Sequence, residues 1–434
     1  MTTRNLPVLI IGGGFSGAML AARLAEAGQA SVVIEKSGKR GLGVAYSTLE
    51  DVHRLNVRTA NMGALADKVD DFQHWLEVHH PAHADPEGFA PRRLYGAYIQ
   101  SRLEAVEQAH PDLIRWLEGQ ATAIEGTTVT LSDGITVAGR AIVLASGNPP
   151  PRTSRDSDSK RSLPDPWADG ALAQIGKTDD VLVLGTGLTM VDVFLSLGAA
   201  GWKGRAMALS RRGVAPRAHI YGRHQAATLP DEALSGPLSG RLKAARAVAA
   251  SCDWRDVMDG YRSRTATLWE AASADMRARF LRHLRPWWDV HRHRIAPDVA
   301  DVIDKLVGAG RLEIAAGRVK SITDTDQGVD VVWTVRGTHD QRTASVQWVI
   351  DCTGPGHDPA CDPLTAPLIE QGRLSIDPLG LGLEVAPSGQ AIGKSGAVDP
   401  TFFVLGPPAR AAFWETIAVP DLRQRIEGLV QQLA

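Results

Sequence analysis

The sequence predicts an α/β fold in which one strand–helix–strand domain, together with a helical insert, is nested inside a second domain that is split along the chain. A short apolar strand followed by a glycine-rich turn occurs twice, near residue 12 and near residue 185. A comparable β-rich stretch follows each turn and ends in a glycine, at Gly147 and at Gly354. This repeat, with residues 226–302 helical by pattern, predicts two Rossmann-like dinucleotide-binding domains.

The first glycine-rich turn contains each part of a dinucleotide-binding site. Its glycines are Gly12, Gly14 and Gly17. The first allows a tight turn, the second lets a pyrophosphate approach the backbone, and the third lets the following helix pack closely. The predicted strand before the turn is 7–11, and the predicted helix after it is 18–27. The next strand, 31–34, ends at Glu35, which lies 23 residues after Gly12. An acid at about this offset binds ribose hydroxyls. Because a carboxylate there repels a 2′-phosphate, this half suits the adenosine of FAD or NAD rather than that of NADP.

The second turn departs from the first at its third glycine. Gly185 and Gly187 follow the predicted strand 181–184, but Met190 stands where the third glycine would be. The predicted helix, 189–197, must therefore lie slightly further from the strand. The phosphate-binding turn itself is kept.

The residues after the next strand indicate which nicotinamide cofactor binds. Strand 205–209 is followed by Ser210, at the place of the ribose acid, and by Arg211 and Arg212. Guanidinium groups bind phosphate in a bidentate manner, so the pattern favours NADPH, with NADH as the alternative. The other interpretation is that both arginines are merely solvated charges.

These segments give the predicted domain boundaries. The parts are an FAD-binding domain at 1–165 and 346–434, an NAD(P)-binding domain at 175–225 and 303–345, and a helical insert at 226–302. Residues 149–169, rich in Pro, Ser and Asp, form the predicted crossing between the domains.

Composition excludes several classes of protein. The 434 residues carry a formal net charge of −2, which implies no general attraction to nucleic acid or to anionic membranes. No apolar run approaches a membrane span, and the chain enters its first strand without a signal peptide. Cys252, Cys352 and Cys361 are too few and too irregular for a disulfide framework or a redox pair. We therefore expect a cytoplasmic protein without thiol chemistry and without a metal site.

Two segments have the composition of a flavin and substrate pocket. Residues 53–62 mix amides, cations and apolar side chains without a clean period, which predicts a loop. Residues 287–297 contain two Trp, two His and two Arg. If this segment is one helix, Trp287, His291 and Arg294 share a face. Substrate contact and helix packing both remain open for it.

The C-terminal region completes the first site. A predicted strand at 402–405 ends at Gly406, and a helix start follows near Thr416 and Ile417. A helix N-terminus there would point at the pyrimidine end of a flavin and stabilise negative charge on it.

Several segments spread from end to end resemble one family. They are G-G-G-F-S-G, G-V-A-Y-S-T, L-N-V-R-T-A-N-M, P-R-R-L-Y-G-A-Y, G-T-G-L-T-M-V-D, S-R-R-G, W-W-D-V-H-R-H-R-I-A-P, D-C-T-G-P and W-E-T-I-A-V-P. In these segments the chain is similar to the FAD/NAD(P)-binding proteins that include FAD-dependent urate hydroxylase and flavin-dependent L-aspartate N-hydroxylases. In that superfamily of two-dinucleotide-domain flavoproteins, the FAD domain is split around the NAD(P) domain.

The resemblance implies a single-component monooxygenase. NADPH or NADH would reduce FAD by hydride transfer, reduced flavin would capture dioxygen, and a flavin hydroperoxide would hydroxylate a small polar substrate. The arginines suit an anionic, urate-like or amino-acid-like substrate. Two alternatives stay open. One is an NAD(P)H oxidoreductase that does not oxygenate its substrate, and the other is a non-catalytic, nucleotide-responsive flavoprotein.

The predicted site residues form two sets. Those expected to bind the cofactors are Gly12, Gly14, Phe15, Ser16, Gly17, Glu35, Lys36, Val44, Asn56, Met62, Ser146, Gly147, Gly185, Gly187, Thr189, Ser210, Arg211, Arg212, Gly354, Gly406, Thr416 and Ile417. The catalytic candidates are Asn56, Arg58, Trp288, His291 and Arg294, with Arg92 as a further pocket residue.

Overall fold

The computed structural model describes residues 6–148, 159–222, 225–354, 356 and 358–434. Of the predicted crossing at 149–169, residues 149–158 lie outside the described residues. The elements of the N-terminal part are β1 (Val8–Ile11), α1 (Phe15–Glu26), β2 (Ser31–Glu35), α2 (Gly43–Tyr46), α3 (Asp71–His79), α4 (Arg92–Ala109), β3 (Ile114–Glu118), β4 (Ala121–Glu125), β5 (Thr128–Leu131), β6 (Thr136–Ala138) and β7 (Ala141–Leu144), with short 3-10 helices at Thr59–Asn61 and Pro81–His83.

The first sheet is built around β1, which lies between the parallel strands β2 and β7. All four residues of β1 are buried, as expected for a strand covered on both faces. The apolar side chains of α1 and α4 pack on one face of the sheet. The strand β3, which the sequence pattern did not predict, extends the sheet beyond β2. A separate antiparallel sheet contains β4, β5 and β6.

The middle of the chain forms a second sheet and a group of helices. Its elements are β8 (Ser162–Leu163), β9 (Val181–Leu184), α5 (Leu188–Ala199), β10 (Ala206–Ser210), α6 (Asp231–Leu234), α7 (Leu238–Val248), α8 (Trp254–Arg262), α9 (Thr265–Glu270), α10 (Ala274–Arg279), a π-helical turn at Phe280–Leu284, α11 (Arg285–Arg292), α12 (Pro297–Gly308), β11 (Leu312–Thr325), β12 (Gly328–Val335), β13 (Gln341–Val346) and β14 (Trp348–Asp351), with a 3-10 helix at Leu172–Gln174. None of the described helices is both long enough and apolar enough to cross a membrane.

The C-terminal part returns to the first sheet. Its elements are α13 (Ala366–Glu370), β15 (Gln390–Ile392), β16 (Val398–Val404), α14 (Arg410–Phe413) and α15 (Val419–Leu433), with 3-10 helices at Pro359–Cys361 and Pro407–Ala409. The strand β16 pairs in parallel with β7, so that Phe403 lies beside Val143. The predicted nesting of one nucleotide-binding domain inside a split one is therefore confirmed.

Strand pairing corrects the predicted boundaries of the two domains. The strand β14 pairs in parallel with β9 of the second sheet, and β8 pairs with β14. Residues 346–351 and 162–163 therefore belong to the second sheet, although the prediction assigned both segments to the FAD-binding domain. A short apolar strand looks the same in either sheet, because its sequence does not encode which neighbour it pairs with.

The helical insert is shorter than predicted. The helix α12 lies between β10 and β11, which are parallel neighbours, and its Val299 and Ile303 pack in the core beside Phe194. It is therefore the crossover helix of the second sheet, and the insert ends before it. The helix α11 likewise ends at Arg292, with His293 as its C-cap.

The close packing of α1 on β1 depends on Gly17. A Cβ atom at Gly17 would lie 1.9 Å from the carbonyl oxygen of Gly12, which is backbone and cannot move aside. At Gly198 in α5 a Cβ atom would meet nothing within 4 Å. The two helices are otherwise equivalent, because each follows a glycine-rich turn.

We expect the substitution Gly17→Ala to lower the free energy of unfolding by about 2 kcal/mol or more, because the clash must displace the helix. The matched substitution Gly198→Ala should be neutral or should stabilise by up to about 1 kcal/mol, since alanine is the better helix former. Urea denaturation followed by circular dichroism measures both. Equal stability of the two variants would contradict this account of the turn.

Candidate functional site

The first glycine-rich turn places the N-terminus of α1 at the carboxyl end of the first sheet. Gly12 has φ +103°, and a Cβ atom there would lie 2.4 Å from the oxygen of Ala145. The helix begins at Phe15, three residues before its predicted start, with no side chain capping it and no acidic residue in its first turn. Phe15, Ser16 and Gly17 therefore offer backbone N–H groups and the positive end of the helix dipole to an anion.

Glu35 is held in a fixed orientation at the end of β2. One carboxylate oxygen accepts a hydrogen bond of 2.6 Å from the backbone N–H of Gly13. The other accepts from the backbone N–H and the hydroxyl of Ser37, at 2.9 and 2.7 Å. Glu35 and the exposed Lys36 both line a cleft at this edge of the sheet. A preoriented carboxylate in that position suits the ribose of a bound adenosine.

The cleft takes residues from three parts of the chain. Ser146 and Gly147 border it after β7. Its other walls, which the sequence did not indicate, are Gly119, Gln120, Ala121, Pro359, Leu364, Thr365, Leu383 and Pro407. These apolar and backbone surfaces have no recognisable motif, and only the return of the chain to the first sheet brings them here.

The C-terminal strand ends beside α1. A Cβ atom at Gly406, whose φ is +86°, would lie 3.6 Å from the hydroxyl oxygen of Ser16. Further on, Thr416 is buried and its hydroxyl has no partner among the described residues, whereas Ile417 is half-exposed. An unpartnered buried hydroxyl next to the predicted flavin position fits a polar ligand.

Two other predicted cofactor residues lie in contrasting surroundings. Met62 is 2 % exposed and packs in the core of the first domain. Val44, in the short helix α2, is 78 % exposed. The segment around Val44 still lies close to the first turn, because a Cβ atom at Gly14 would be 3.3 Å from the Cα of Gly43.

The second turn repeats the geometry of the first. Gly185 has φ +99°, and a Cβ atom there would lie 2.3 Å from the oxygen of Cys352. A Cβ atom at Gly187 would meet nothing within 4 Å, so this glycine borders open space. The helix α5 begins at Leu188 without a side-chain cap, and Met190 is fully buried in place of the third glycine. Thr189 is in the first turn of that helix, and Gly354, with φ +92°, follows β14 across the edge.

The hydroxyl of Ser210, the last residue of β10, is hydrogen-bonded within the second turn. The hydroxyls of Thr186 and Ser210 lie 2.9 Å apart, and Ser210 also accepts from the backbone N–H of Gly213. The Thr186 hydroxyl oxygen also lies 2.5 Å from the Val214 carbonyl oxygen, which can only accept. Because a hydroxyl group has a single proton, Thr186 donates it to that carbonyl. The hydroxyl proton of Ser210 is thus directed at Thr186.

The two arginines that follow are not equivalent. Arg212 donates to the carbonyl of Arg282 in the insert, at 2.9 Å. Arg211 is exposed beside the end of β10. Of the pair, Arg211 is the more exposed.

A buried ionic cluster joins the insert to the C-terminal part. Arg292 and Glu415 form an ion pair of 3.0 Å in which both side chains are about 5 % exposed or less. Trp288 donates its indole N–H to the same carboxylate at 3.3 Å. Nearby, Arg294 pairs with Asp259. These contacts fix the insert against the segment that carries Thr416.

Burial perturbs the titration of this cluster. Desolvation lowers the pKa of Arg262 to about 10, with a further contribution from the charge of Arg292. Desolvation raises the pKa of Asp421, and the carboxylate of Glu415 adds to the effect. The Nε atoms of Arg262, Arg292 and Arg294 are buried without a hydrogen-bond partner among the described residues. Unsatisfied buried donors of this kind are costly unless a ligand uses them.

The predicted common face of Trp287, His291 and Arg294 does not form. The first two lie on α11, but the helix ends at Arg292, and Arg294 lies beyond it. The chain leaves the helix because Ile295 exchanges backbone hydrogen bonds with Arg217 and His219. His291 lies one turn after Trp287 on the same helix, with its Nδ1 2.7 Å from the Trp287 carbonyl oxygen. The prediction of one helix through this segment was therefore wrong.

The loop of residues 53–62 is tied to the second domain. Arg58 pairs with Glu87 at 3.3 Å and donates to the Ile220 carbonyl at 3.0 Å. The backbone oxygen of Asn56 lies 3.1 Å from Nε2 of His219. The predicted pocket residues Asn56 and Arg58 thus lie at the junction of the two domains.

Two junction contacts were missed by the sequence analysis. Arg92, on α4, binds both oxygens of the buried Asp192 on α5, at 2.6 and 3.2 Å. His53 lies 3.0 Å from the hydroxyl of Ser196 on the same helix. Partners this far apart in the chain leave no local pattern, so only covariation between homologues could have indicated them.

His219 was also missed, and it is neutral in the fold. Desolvation lowers its pKa to about 2, and the charges of Arg294 and Arg58 act in the same direction. The neutral ring donates one hydrogen bond to Asn56, so that its other nitrogen is an acceptor.

The comparisons with known proteins agree with this geometry. A family model described as FAD-NAD(P)-binding matches residues 9–149. No curated protein matched the sequence. The fold is similar to that of a cadaverine monooxygenase from Erwinia amylovora in complex with FAD, at a TM-score of 0.68 and 12 % identity over 99 % of this chain and 94 % of that one.

Two further solved structures share the fold. An L-lysine 6-monooxygenase from Pseudomonas syringae has a TM-score of 0.65 at 17 % identity, over 99 % of each chain. A bacillithiol disulfide reductase from Bacillus cereus has a TM-score of 0.55 at 16 % identity, over 99 % of this chain and 98 % of that one. The chain thus has the fold of flavoproteins with two dinucleotide-binding domains, as predicted.

The lowered pKa of His219 predicts an acid-dependent loss of stability. Because the folded-state pKa lies below the ordinary value of 6.5, only the unfolded chain gains this proton as the pH falls below about 6.5. We expect the stability advantage of the wild type over His219→Gln to shrink by about 1.4 kcal/mol per pH unit between pH 6.5 and pH 5. Urea denaturation at several pH values measures it, with His74→Gln at an exposed position as the control. An advantage that stays constant with pH would contradict the neutral buried ring.

Proposed function

We propose that the protein is an FAD-dependent monooxygenase that consumes NADPH and dioxygen and hydroxylates a small amine-bearing substrate. The observation that carries the proposal is the pair of phosphate-binding turns, one at the edge of each sheet, whose domains are joined by buried polar contacts. Two similar structures are monooxygenases of L-lysine and of cadaverine, and this supports an amine as the substrate.

The first site has the features that FAD requires. The uncapped N-terminus of α1 would bind the pyrophosphate, and the fixed carboxylate of Glu35 would bind the ribose. The segment around the buried Thr416 would face the flavin ring. When bound, FAD would supply the chemistry of accepting a hydride and activating dioxygen. The protein's part is to bind the reactants, orient them and exclude water.

The second site has the features of a nicotinamide site that prefers NADPH. Gly187 borders open space where a pyrophosphate could approach the backbone. The hydroxyl of Ser210 is engaged within the turn, so we assign the 2′-phosphate contact to Arg211 rather than to Ser210. A guanidinium at the surface binds phosphate without the cost of breaking an existing ion pair.

The substrate pocket, on this proposal, lies where the loop of residues 53–62 meets the buried ionic cluster. Arg262 and Arg294 have unpartnered buried N–H groups there, which would suit the carboxylate of an amino acid. The same groups would suit a urate-like anion, which is therefore the second substrate class to test. His219 is neutral, and its unprotonated ring nitrogen can accept a hydrogen bond from an ammonium group.

Thiol-based reduction of a disulfide is disfavoured, although one similar structure is a disulfide reductase. Cys352 is buried, and burial raises the pKa of its thiol. Cys361 is exposed, and Cys252 lies in the insert. The reaction requires two cysteines paired beside the flavin, whereas these three are free cysteines without the C-x-x-C spacing of a redox pair.

The proposal is tested by coupled turnover of the purified holoenzyme. We expect NADPH oxidation and oxygen uptake to rise several-fold with one member of a panel of diamines, basic and acidic amino acids and urate, with a hydroxylated product in equal amount. NADPH oxidation that yields only peroxide across the panel would instead support an oxidase. Tight nucleotide binding without any turnover would support a non-catalytic flavoprotein.

Arg211→Ala should raise the KM for NADPH about tenfold or more and leave the KM for NADH unchanged, because a charge-assisted hydrogen bond to the 2′-phosphate contributes about 1.5–3 kcal/mol. Steady-state reduction with the two cofactors measures this. Arg205→Ala, at the opposite end of β10, is the matched control and should change neither value. An unaltered cofactor preference in the Arg211 variant would refute the 2′-phosphate assignment.

A further inference from the structure

The helical insert forms an open cavity that is lined by none of the residues of the proposed substrate pocket, although two catalytic candidates, Trp288 and His291, line it. It has a volume of about 370 Å³ and lies between the helices α7 to α11. Small-molecule sites are typically about 300–1,000 Å³ and mostly apolar. Leu242, Met258, Leu268 and the rings of Trp254, Trp269 and Trp287 form much of its wall. The cavity thus has the size and the surface of a ligand site.

The cavity is not the packed core of a helical bundle. The helix α7 has eleven residues, and none of them is buried. Its Leu242, Ala245 and Ala249 face the cavity and are only half-buried. A helix that packs against its neighbours would bury this stripe of side chains. The apolar face of α7 therefore borders a space that is left open.

The wall of the cavity opposite α7 is held in place by aromatic contacts with the C-terminal part. Trp269 stacks on Trp414, with ring centroids 4.6 Å apart and an angle of 27°. The indole N–H of Trp269 donates to the Ala411 carbonyl at 2.8 Å. Phe280 lies edge-on to Trp288 at 5.8 Å. With its rings fixed in this way, the cavity is preformed and does not require ordering when a ligand binds.

The charges around the cavity all have one sign. The charged residues that line it are Arg241, Arg246 and Arg277, and no lining residue is acidic. Arg241 and Arg277 each use N–H groups for backbone carbonyls, and the exposed Arg246 lies in the following turn of α7. Three guanidinium groups on an otherwise apolar surface complement a molecule with an apolar body and an anionic group.

We propose that this cavity binds an amphipathic monocarboxylate, with its hydrocarbon body against the tryptophans and its carboxylate at the arginines. The volume sets the size, because an apolar cavity of about 150 Å³ already holds benzene. A cavity of 370 Å³ accommodates a chain of about ten carbons. Its lining shares no residue with the cleft of the first nucleotide site or with the turn of the second, and the inference does not depend on the proposed monooxygenase activity.

The test is a titration of the holoenzyme with decanoate, followed by isothermal calorimetry and by tryptophan fluorescence. We expect one saturable site per chain, with a change in tryptophan emission. Decanol and decylamine, which match the chain length, should bind at least tenfold more weakly. Arg246→Gln should weaken decanoate binding several-fold and leave decanol binding unchanged.

Variants that fill the cavity complete the test. Ala245→Phe places a ring in the space and should weaken decanoate binding at least tenfold, without change in FAD content or in the rate of reduction by NADPH. Ala249→Phe, one turn further along, is a second filling variant should the first fail to fold. Ala247→Phe, on the exposed face of the same helix, is the matched control and should bind decanoate like the wild type.

Three results would overturn the proposal. The first is the absence of a saturable site for decanoate, and the second is unchanged binding in a folded variant with a filled cavity. The third is equal affinity for decanoate and decylamine, which would show that the arginines do not select the carboxylate. A dimer that forms with rising protein concentration and is lost in Ala245→Phe would show instead that a second copy of the chain covers this surface.

Discussion

The parallel pairing of β16 with β7 is the contact on which the rest of the structure depends. It brings the end of the chain back to the sheet that the first residues begin. Gly406 consequently lies against Ser16 at the first turn of α1, and residues 359–365 become a wall of the nucleotide cleft. The chain leaves the first sheet after β7 and returns to it at β15 and β16, so the second domain between them is an insertion. The split of the first domain is thus a consequence of how one sheet is completed.

The two domains use the same turn for different ligands. In each, a glycine with positive φ lies against a carbonyl at the end of a neighbouring strand, and an uncapped helix follows. They differ in what stands at the end of the next strand. Glu35 is fixed by three hydrogen bonds, whereas the second domain has an engaged serine and then an exposed arginine, Arg211. On the proposed function, the shared backbone would bind pyrophosphate, and the differing side chains would select the nucleotide.

Buried polar contacts join the domains and the insert. Removing one partner of a buried ion pair costs about 3–5 kcal/mol, because the other charge is left without compensation. The Arg92–Asp192 pair and the Arg292–Glu415 pair therefore resist displacement of one body relative to another. Apolar surfaces alone would tolerate sliding, whereas ion pairs specify one arrangement. At this junction the buried Nε–H groups of Arg262 and Arg294 have no hydrogen-bond partner among the described residues.

The sequence by itself determined the two nucleotide-binding turns, their strands and the nesting of the domains. Those features are local, because a glycine turn after a buried strand and before a helix has few other structural solutions. It did not determine that β14 belongs to the second sheet, or that α11 stops at Arg292 instead of continuing to Arg294. Both depend on which distant strand offers hydrogen bonds, and no local period records that choice.

The cavity of the insert was equally absent from the sequence pattern, since the stripe on α7 is identical whether it packs or is left open. Only the tertiary structure decided this, because the tryptophans that hold the opposite wall are fixed by Ala411 and Trp414, far along the chain.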